Sequence, residues 1–112
     1  MHGTSTPLGD IAESNAISRL LGEHAFDIQI NSTKSMTGHL LGAAGVVEAI
    51  AAIHTIIHDI VPPTINHFTD DEKIDSRLNF TFNHAVKKTV NVAMSNTFGF
   101  GGHNACVLFT KI

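Results

Sequence analysis

Three observations place this sequence in the α/β class. An apolar stripe at helical spacing runs from Asp10 to Gly22, and a second, more apolar helical segment runs from His39 to His58. Short apolar runs bounded by turn residues lie between and after them. The order helix, strand, helix, then three strands describes a mixed sheet with helices packed on it. Such a layer normally also has a strand ahead of its first helix. None precedes His2, so the first strand is expected to be missing.

In the first helix the stripe is Ile11, Ala12, Ala16, Ile17, Leu20 and Leu21, with Pro7 near the start and Gly22 just past the end. Ile28 to Ile30 alternates as a short strand and empties into the polar stretch Asn31, Ser32, Thr33, Lys34, Ser35. From His39 to His58 the pattern is apolar nearly all round (Leu40, Leu41, Val46, Val47, Ile50, Ile53, Ile56, Ile57), which predicts a helix inside a layered domain. Gly42, Ala43, Ala44 and Gly45 let another backbone approach its N-terminal end, where His39 is expected just before or within the first turn. Val61-Pro62-Pro63-Thr64 ends that helix and continues extended, because each proline restricts the residue before it. A polar loop with Asp70, Asp71, Glu72 and Lys73 follows. Strands are then expected at Asn79 to Phe82, Val90 to Met94, and His103 or Asn104 to Phe109, with a glycine-rich loop from Phe98 to Gly102.

With 112 residues the chain forms one domain, 1–112, and can bury roughly two-thirds of its unfolded surface if the domain is complete. A 15% charged fraction and a mean hydropathy of +0.14 imply generous burial and surfaces suited to protein contact. A net charge of −3 with scattered Lys and Arg leaves no basic stripe, so nucleic-acid binding is disfavoured. The stretch Leu40 to Ile57 has the length of a membrane span, but Glu48 and His54 interrupt it, and no membrane segment is expected. One cysteine, Cys106, excludes an internal disulfide, and with no secretory signal a cytoplasmic setting is the default.

Eight histidines need sorting by context. His2 stands in His2-Gly3-Thr4-Ser5-Thr6-Pro7, whose hydroxyls can bond a polar ligand or cap the first helix. His39 closes Lys34-Ser35-Met36-Thr37-Gly38-His39, where Lys34 has its natural countercharge in Glu48 if both point inward. Asn96-Thr97-Phe98-Gly99-Phe100-Gly101-Gly102 carries too many glycines for a simple hairpin, and its phenylalanines can line an apolar channel. It is not a dinucleotide loop, since a strand rather than a helix follows it. His54 and His58 lie one helical turn apart, but with no His-Glu-x-x-His pattern and no third ligand no metal is expected. Cys106 is expected as a small buried thiol on a strand rather than a nucleophile.

Taken together, His2-Gly3-Thr4-Ser5-Thr6-Pro7-Leu8-Gly9-Asp10, the run Ser32 to Gly45 and the run Asn96 to Asn104 resemble three signatures of the β-ketoacyl-[acyl-carrier-protein] synthase family, in the order and spacing of its synthase II type. The resemblance extends along the whole chain, including Val61 to Asn66. It departs at His103, where the family usually has Thr. It implies a thiolase-like fold of two similar halves, of which this chain is the C-terminal one, with the first half and its nucleophilic cysteine missing.

In the resembled family, malonyl carrier protein loses carbon dioxide and the resulting carbanion attacks an acyl thioester, a decarboxylative Claisen condensation in fatty acid biosynthesis. Carried over, His2 and His39 serve the malonyl stage by donating hydrogen bonds to the thioester oxygen. A helix N-terminus next to His39 would favour its neutral, donating form. By the same resemblance, Lys34 orients His39 with Glu48 behind it, and Thr4 and Thr6 hold the phosphopantetheine arm. The Phe98 backbone N–H helps form an oxyanion hole, and Phe98, Gly99 and Phe100 gate the acyl pocket. Acyl carrier protein and the missing N-terminal half are the implied partners, a homodimer is implied for the full-length family, and no cofactor is. Alternatives are a non-catalytic module that binds carrier protein or pantetheine, and a residual malonyl-thioester decarboxylase.

Overall fold

A computed structural model describes all residues, 1–112. Helix α1 spans Gly9–Leu21 and runs into a 3-10 segment, Gly22–Phe26; Gly22, at φ 56°, turns the chain there. A single-turn helix, α2, covers Lys34–Thr37, and a 3-10 turn at Leu41–Ala43 leads into α3, Ala44–His58. Strand β1 is Ile60–Val61, β2 is Val86–Lys87, β3 is Val92–Gly99 and β4 is His103–Thr110. β1 pairs antiparallel with β2, and β3 antiparallel with β4, in a register from Val92 opposite Thr110 to Gly99 opposite His103. Two parallel bridges, Ile30 to Phe80 and Thr64 to Phe82, tie in the remaining extended segments.

The expected α/β class holds, but the sheet is divided. The run expected as a strand at Ile28 to Ile30 contributes one bridge, and so do Phe80 and Phe82 within Asn79 to Phe82. A cavity of about 480 Å³ lies between Gln29–Asn31 and the unpaired edge of β3, lined also by Ala51, Ala52 and Leu108 of the flanking elements. The core adjoins this cavity, where Ile17, Ala25, Ile30 and Leu78 are buried with Leu21, Phe26, Ile28, Ile74 and Phe80 against them, and Ile17 and Ile30 face both.

Several expectations are corrected. The buried stripe of α1 is Glu13, Ser14 and Ile17, while Ala12, Ala16 and Leu20 face outward. The polar stretch after Ile30 folds into α2, and the helix expected from His39 begins only at Ala44, because Leu41 takes a positive φ of 51° and the chain makes a 3-10 turn first. Nor is that helix enclosed. Val46, Ile50, Ile53 and Ile57 are exposed, and over Leu41–His58, with a mean hydropathy of 1.5, only 17% of the residues are buried. This stretch is long and apolar enough to cross a membrane by length and composition. Its one carboxylate, Glu48, is instead ion-paired within the protein. The run from Phe98 to Gly102 is a hairpin after all: β3 continues to Gly99, and Phe100–Gly102 turns the chain, with Gly101 and Gly102 at φ 81° and 82° and the Gly102 N–H donating to the Gly99 carbonyl. Cys106, expected to be buried, is exposed, since nearly all of β4 is uncovered.

Candidate active site

Three loops converge where α1, α2 and α3 meet the hairpin. His2 is 8% exposed, and its backbone is fixed from two sides. The N–H groups of His2 and Gly3 donate to the two carboxylate oxygens of Glu13 on α1, at 2.8 and 3.1 Å. The Ser32 hydroxyl lies 3.3 Å from the His2 carbonyl and 3.0 Å from that of Gly3, and donates to this pair. Gly3 must be glycine here: its φ is +48°, and a Cβ would stand 2.7 Å from the Ser32 Cβ. Ser32 is itself held, its N–H donating to Thr64 Oγ1 at 2.8 Å.

His39 sits in the turn between α2 and the 3-10 segment, five residues ahead of α3, with its side chain open to solvent. The helix end expected to act on it is therefore displaced, and a local bond takes its place. The Leu41 N–H donates to His39 Nδ1 at 3.2 Å. An accepting ring nitrogen carries no proton, so the hydrogen lies on Nε2, leaving that atom as a donor. The rings of His2 and His39 meet edge to face with centroids 5.6 Å apart, and the Phe98 ring lies 5.4 Å from His2. Burial, and next the positive charge of Lys34, push the His2 imidazole below its ordinary value of 6.5, which favours the neutral ring at neutral pH.

Lys34 of α2 and Glu48 of α3 form an ion pair whose side chains are 5% and 9% exposed. This is the pairing that charge balance asks for in a dry interior. Lys34 bonds Glu48 and does not bond His39 directly. Glu48 Oε2 and His2 Nδ1 are buried without a partner. Thr6 Oγ1 accepts the Gly9 N–H at 3.2 Å just ahead of α1, and Thr4 is half-buried on the same loop. Gly99 and Phe100 lie exposed at the hairpin tip beyond Phe98. His103, opposite Gly99, is exposed as well. His54 and His58 stack with ring centroids 5.4 Å apart, outside this cluster and without a third ligand.

The sequence reading missed Glu13 and took Asn96 only as the start of the glycine-rich run; the Asn96 amide donates to Glu13 Oε1 at 3.2 Å. The available signal was a carboxylate four residues before Ile17, on the face of α1 that has to be buried.

Residues 1–68 match the family described as "Beta-ketoacyl synthase, C-terminal domain". The chain belongs to the β-ketoacyl synthase family. Curated relatives agree along nearly its whole length: the 3-oxoacyl-[acyl-carrier-protein] synthase 2 of Synechocystis sp. is 50% identical over 110 residues, 98% of this chain and 26% of the relative. That of Vibrio harveyi is 48% identical over 112 residues, 99% of this chain and again 26% of the relative. The chain thus spans about a quarter of the length of these synthases. Among solved structures, a β-ketoacyl synthase from Burkholderia phymatum superposes with a TM-score of 0.90 at 38% identity, covering 100% of this chain and 26% of that one. A chain of the AntDE:AntF complex, a type II PKS acyl-carrier protein with its ketosynthase bound to the hexaketide, gives 0.93 at 41% identity, covering 99% and 27%. The fold is the thiolase-like fold of ketosynthases, represented by its C-terminal portion.

Proposed function

We propose that this chain supplies the malonyl-activating half of a 3-oxoacyl-[acyl-carrier-protein] synthase, with His2 and His39 as the catalytic pair. The observation that carries the reading is their approach, rings 5.6 Å apart, one buried and the other presenting Nε2–H. In the reaction the bond between the malonyl α-carbon and its carboxylate breaks, carbon dioxide leaves, and the electron pair moves into an enolate whose charge rests on the thioester oxygen. Two imidazole N–H donors at that oxygen stabilise the charge as it develops. The lowered proton affinity of His2 keeps it a neutral donor rather than a cation that would bind the malonyl carboxylate as firmly as the transition state.

Lys34, held by Glu48, provides the fixed charge behind the pair, and Phe98 with Gly99 and Phe100 forms the wall against which an acyl chain is received. The Phe98 N–H serves the acyl thioester oxygen in the complete site, and Thr4 and Thr6 are offered to a pantetheine arm. Acyl carrier protein is the proposed partner, in keeping with the ketosynthase neighbour that binds one.

The test is carbon dioxide release from malonyl carrier protein, followed together with 3-oxoacyl product in the presence of an acyl donor. Release that falls by about 10²-fold or more in His2→Ala and in His39→Ala supports the assignment. Binding of the carrier with no release would instead leave a pantetheine- or carrier-binding module, and product formation by this chain alone would demand a nucleophile, starting with Cys106.

A further inference from the structure

We propose that His54 and His58 form a metal-binding pair on the outer face of α3. It takes one divalent cation of the borderline transition-metal class (Zn²⁺, Ni²⁺ or Cu²⁺), with water in the remaining positions. Four residues of α-helix make slightly more than one turn, so the two side chains leave α3 on the same face. Their rings already stand side by side, with centroids 5.4 Å apart and planes within 6° of parallel. Both residues are exposed. The histidine rings engaged in hydrogen bonds or ion pairs are those of His24, His39 and His67, so the ring nitrogens of His54 and His58 are free to ligate.

Two histidines four residues apart on a helix are the spacing with which helical zinc motifs hold their metal from one face. Imidazole nitrogen selects borderline transition metals over Mg²⁺ and Ca²⁺, which take oxygen ligands. The want of a third protein ligand excludes a closed structural site, which needs four, and leaves an open one whose shell water completes. Position favours a cation as well. His58 is the last residue of α3, so the carbonyls of the final turn, the negative end of the helix dipole, lie beside it. A metal held across positions 54 and 58 therefore staples the turn most prone to fray. This face lies apart from His2 and His39: His54 is about 15 Å along the axis from Ala44, the first residue of α3. The metal site accordingly stands or falls independently of the catalytic reading.

The test is a titration of the whole chain with zinc chloride, following the histidine ring nitrogens by nuclear magnetic resonance and the uptake of metal by calorimetry. The His54 and His58 resonances are expected to shift along one curve that saturates at one metal per chain, while magnesium chloride at the same concentration moves neither. His54→Gln and His58→Gln should each weaken binding by about 10-fold or more, at least the loss that removing an outer partner of a metal ligand brings. Both positions are exposed, so these variants are expected to fold as the parent does. A single variant that keeps half of the parent's uptake at unchanged affinity would mean two independent rings rather than a chelating pair, and would overturn the site. So would zinc shifts confined to His2 and His39, or to any histidine outside α3. Stability gives a second readout, because a ligand of the folded state raises the urea midpoint. Zinc should raise it in the parent and not in either variant; an equal rise in all three chains would place the metal elsewhere and contradict the assignment.

Discussion

At the scale of single residues, His2 ties stability to pH. Its imidazole titrates below 6.5 in the folded chain, from burial first and Lys34 second, and returns to 6.5 on unfolding. In the window below 6.5 and above the folded-state value, the unfolded chain binds a proton that the folded chain refuses. The His2 contribution is therefore full above 6.5 and is lost as pH falls through that window. Urea midpoints measured on both sides of 6.5 should fall toward acid in the parent and fall less in His2→Gln; equal slopes would contradict a buried, neutral His2. His2 and His39 could be singled out in the sequence because His2 opens one of the resembled motifs and His39 closes the polar stretch of another. The tautomer of His39 was not, since it depends on the Leu41 N–H in a turn whose positive φ no periodicity announces. Glu13 escaped for a related reason. A carboxylate on a helix reads as solvated until its backbone donors, eleven and ten residues away in sequence, are known.

Between elements, the Lys34 to Glu48 pair joins α2 to α3 and fixes the turn that presents His39. Lys34→Met leaves a buried carboxylate uncompensated and should cost about 3–5 kcal/mol, whereas Lys34→Met combined with Glu48→Leu should recover most of that loss. Denaturant unfolding of both variants checks it, and a single substitution as mild as the double one would mean that Glu48 reaches water. Charge balance asked for this contact in the sequence on the condition that both side chains point inward, and the structure meets that condition. Helices α1 and α3 were legible too, to within a few residues at their ends, since their apolar spacing runs for three turns or more. The two-residue strands β1 and β2 carry no period to read, and the hairpin was obscured because its glycines suggested a longer loop than the three residues it uses.

For the molecule as a whole, a radius of gyration of 13.3 Å shows a collapsed chain, close to the roughly 13 Å expected of a domain this long. The collapse leaves Leu41 ahead of α3, Val46, Ile50 and Ile57 along it, and Val107 and Leu108 on β4, more than 45% exposed. The all-round apolar pattern of α3 was read from sequence as burial, and the chain by itself does not supply the cover. An apolar surface of this kind predicts association of the isolated chain with itself. Sedimentation velocity over a range of concentrations should show growing weight-average mass, and one sharp monomeric boundary throughout would contradict it.

The central claim is that His2 and His39 act together on one oxygen. It is tested most directly by following the ring nitrogens of all eight histidines while a malonyl-pantetheine analogue that cannot lose carbon dioxide is titrated in. The account predicts that the resonances of His2 and His39 shift together with a single binding curve while those of His54 and His58 stay in place. A curve in which the Thr4 and Thr6 loop responds and the two imidazoles do not would contradict it.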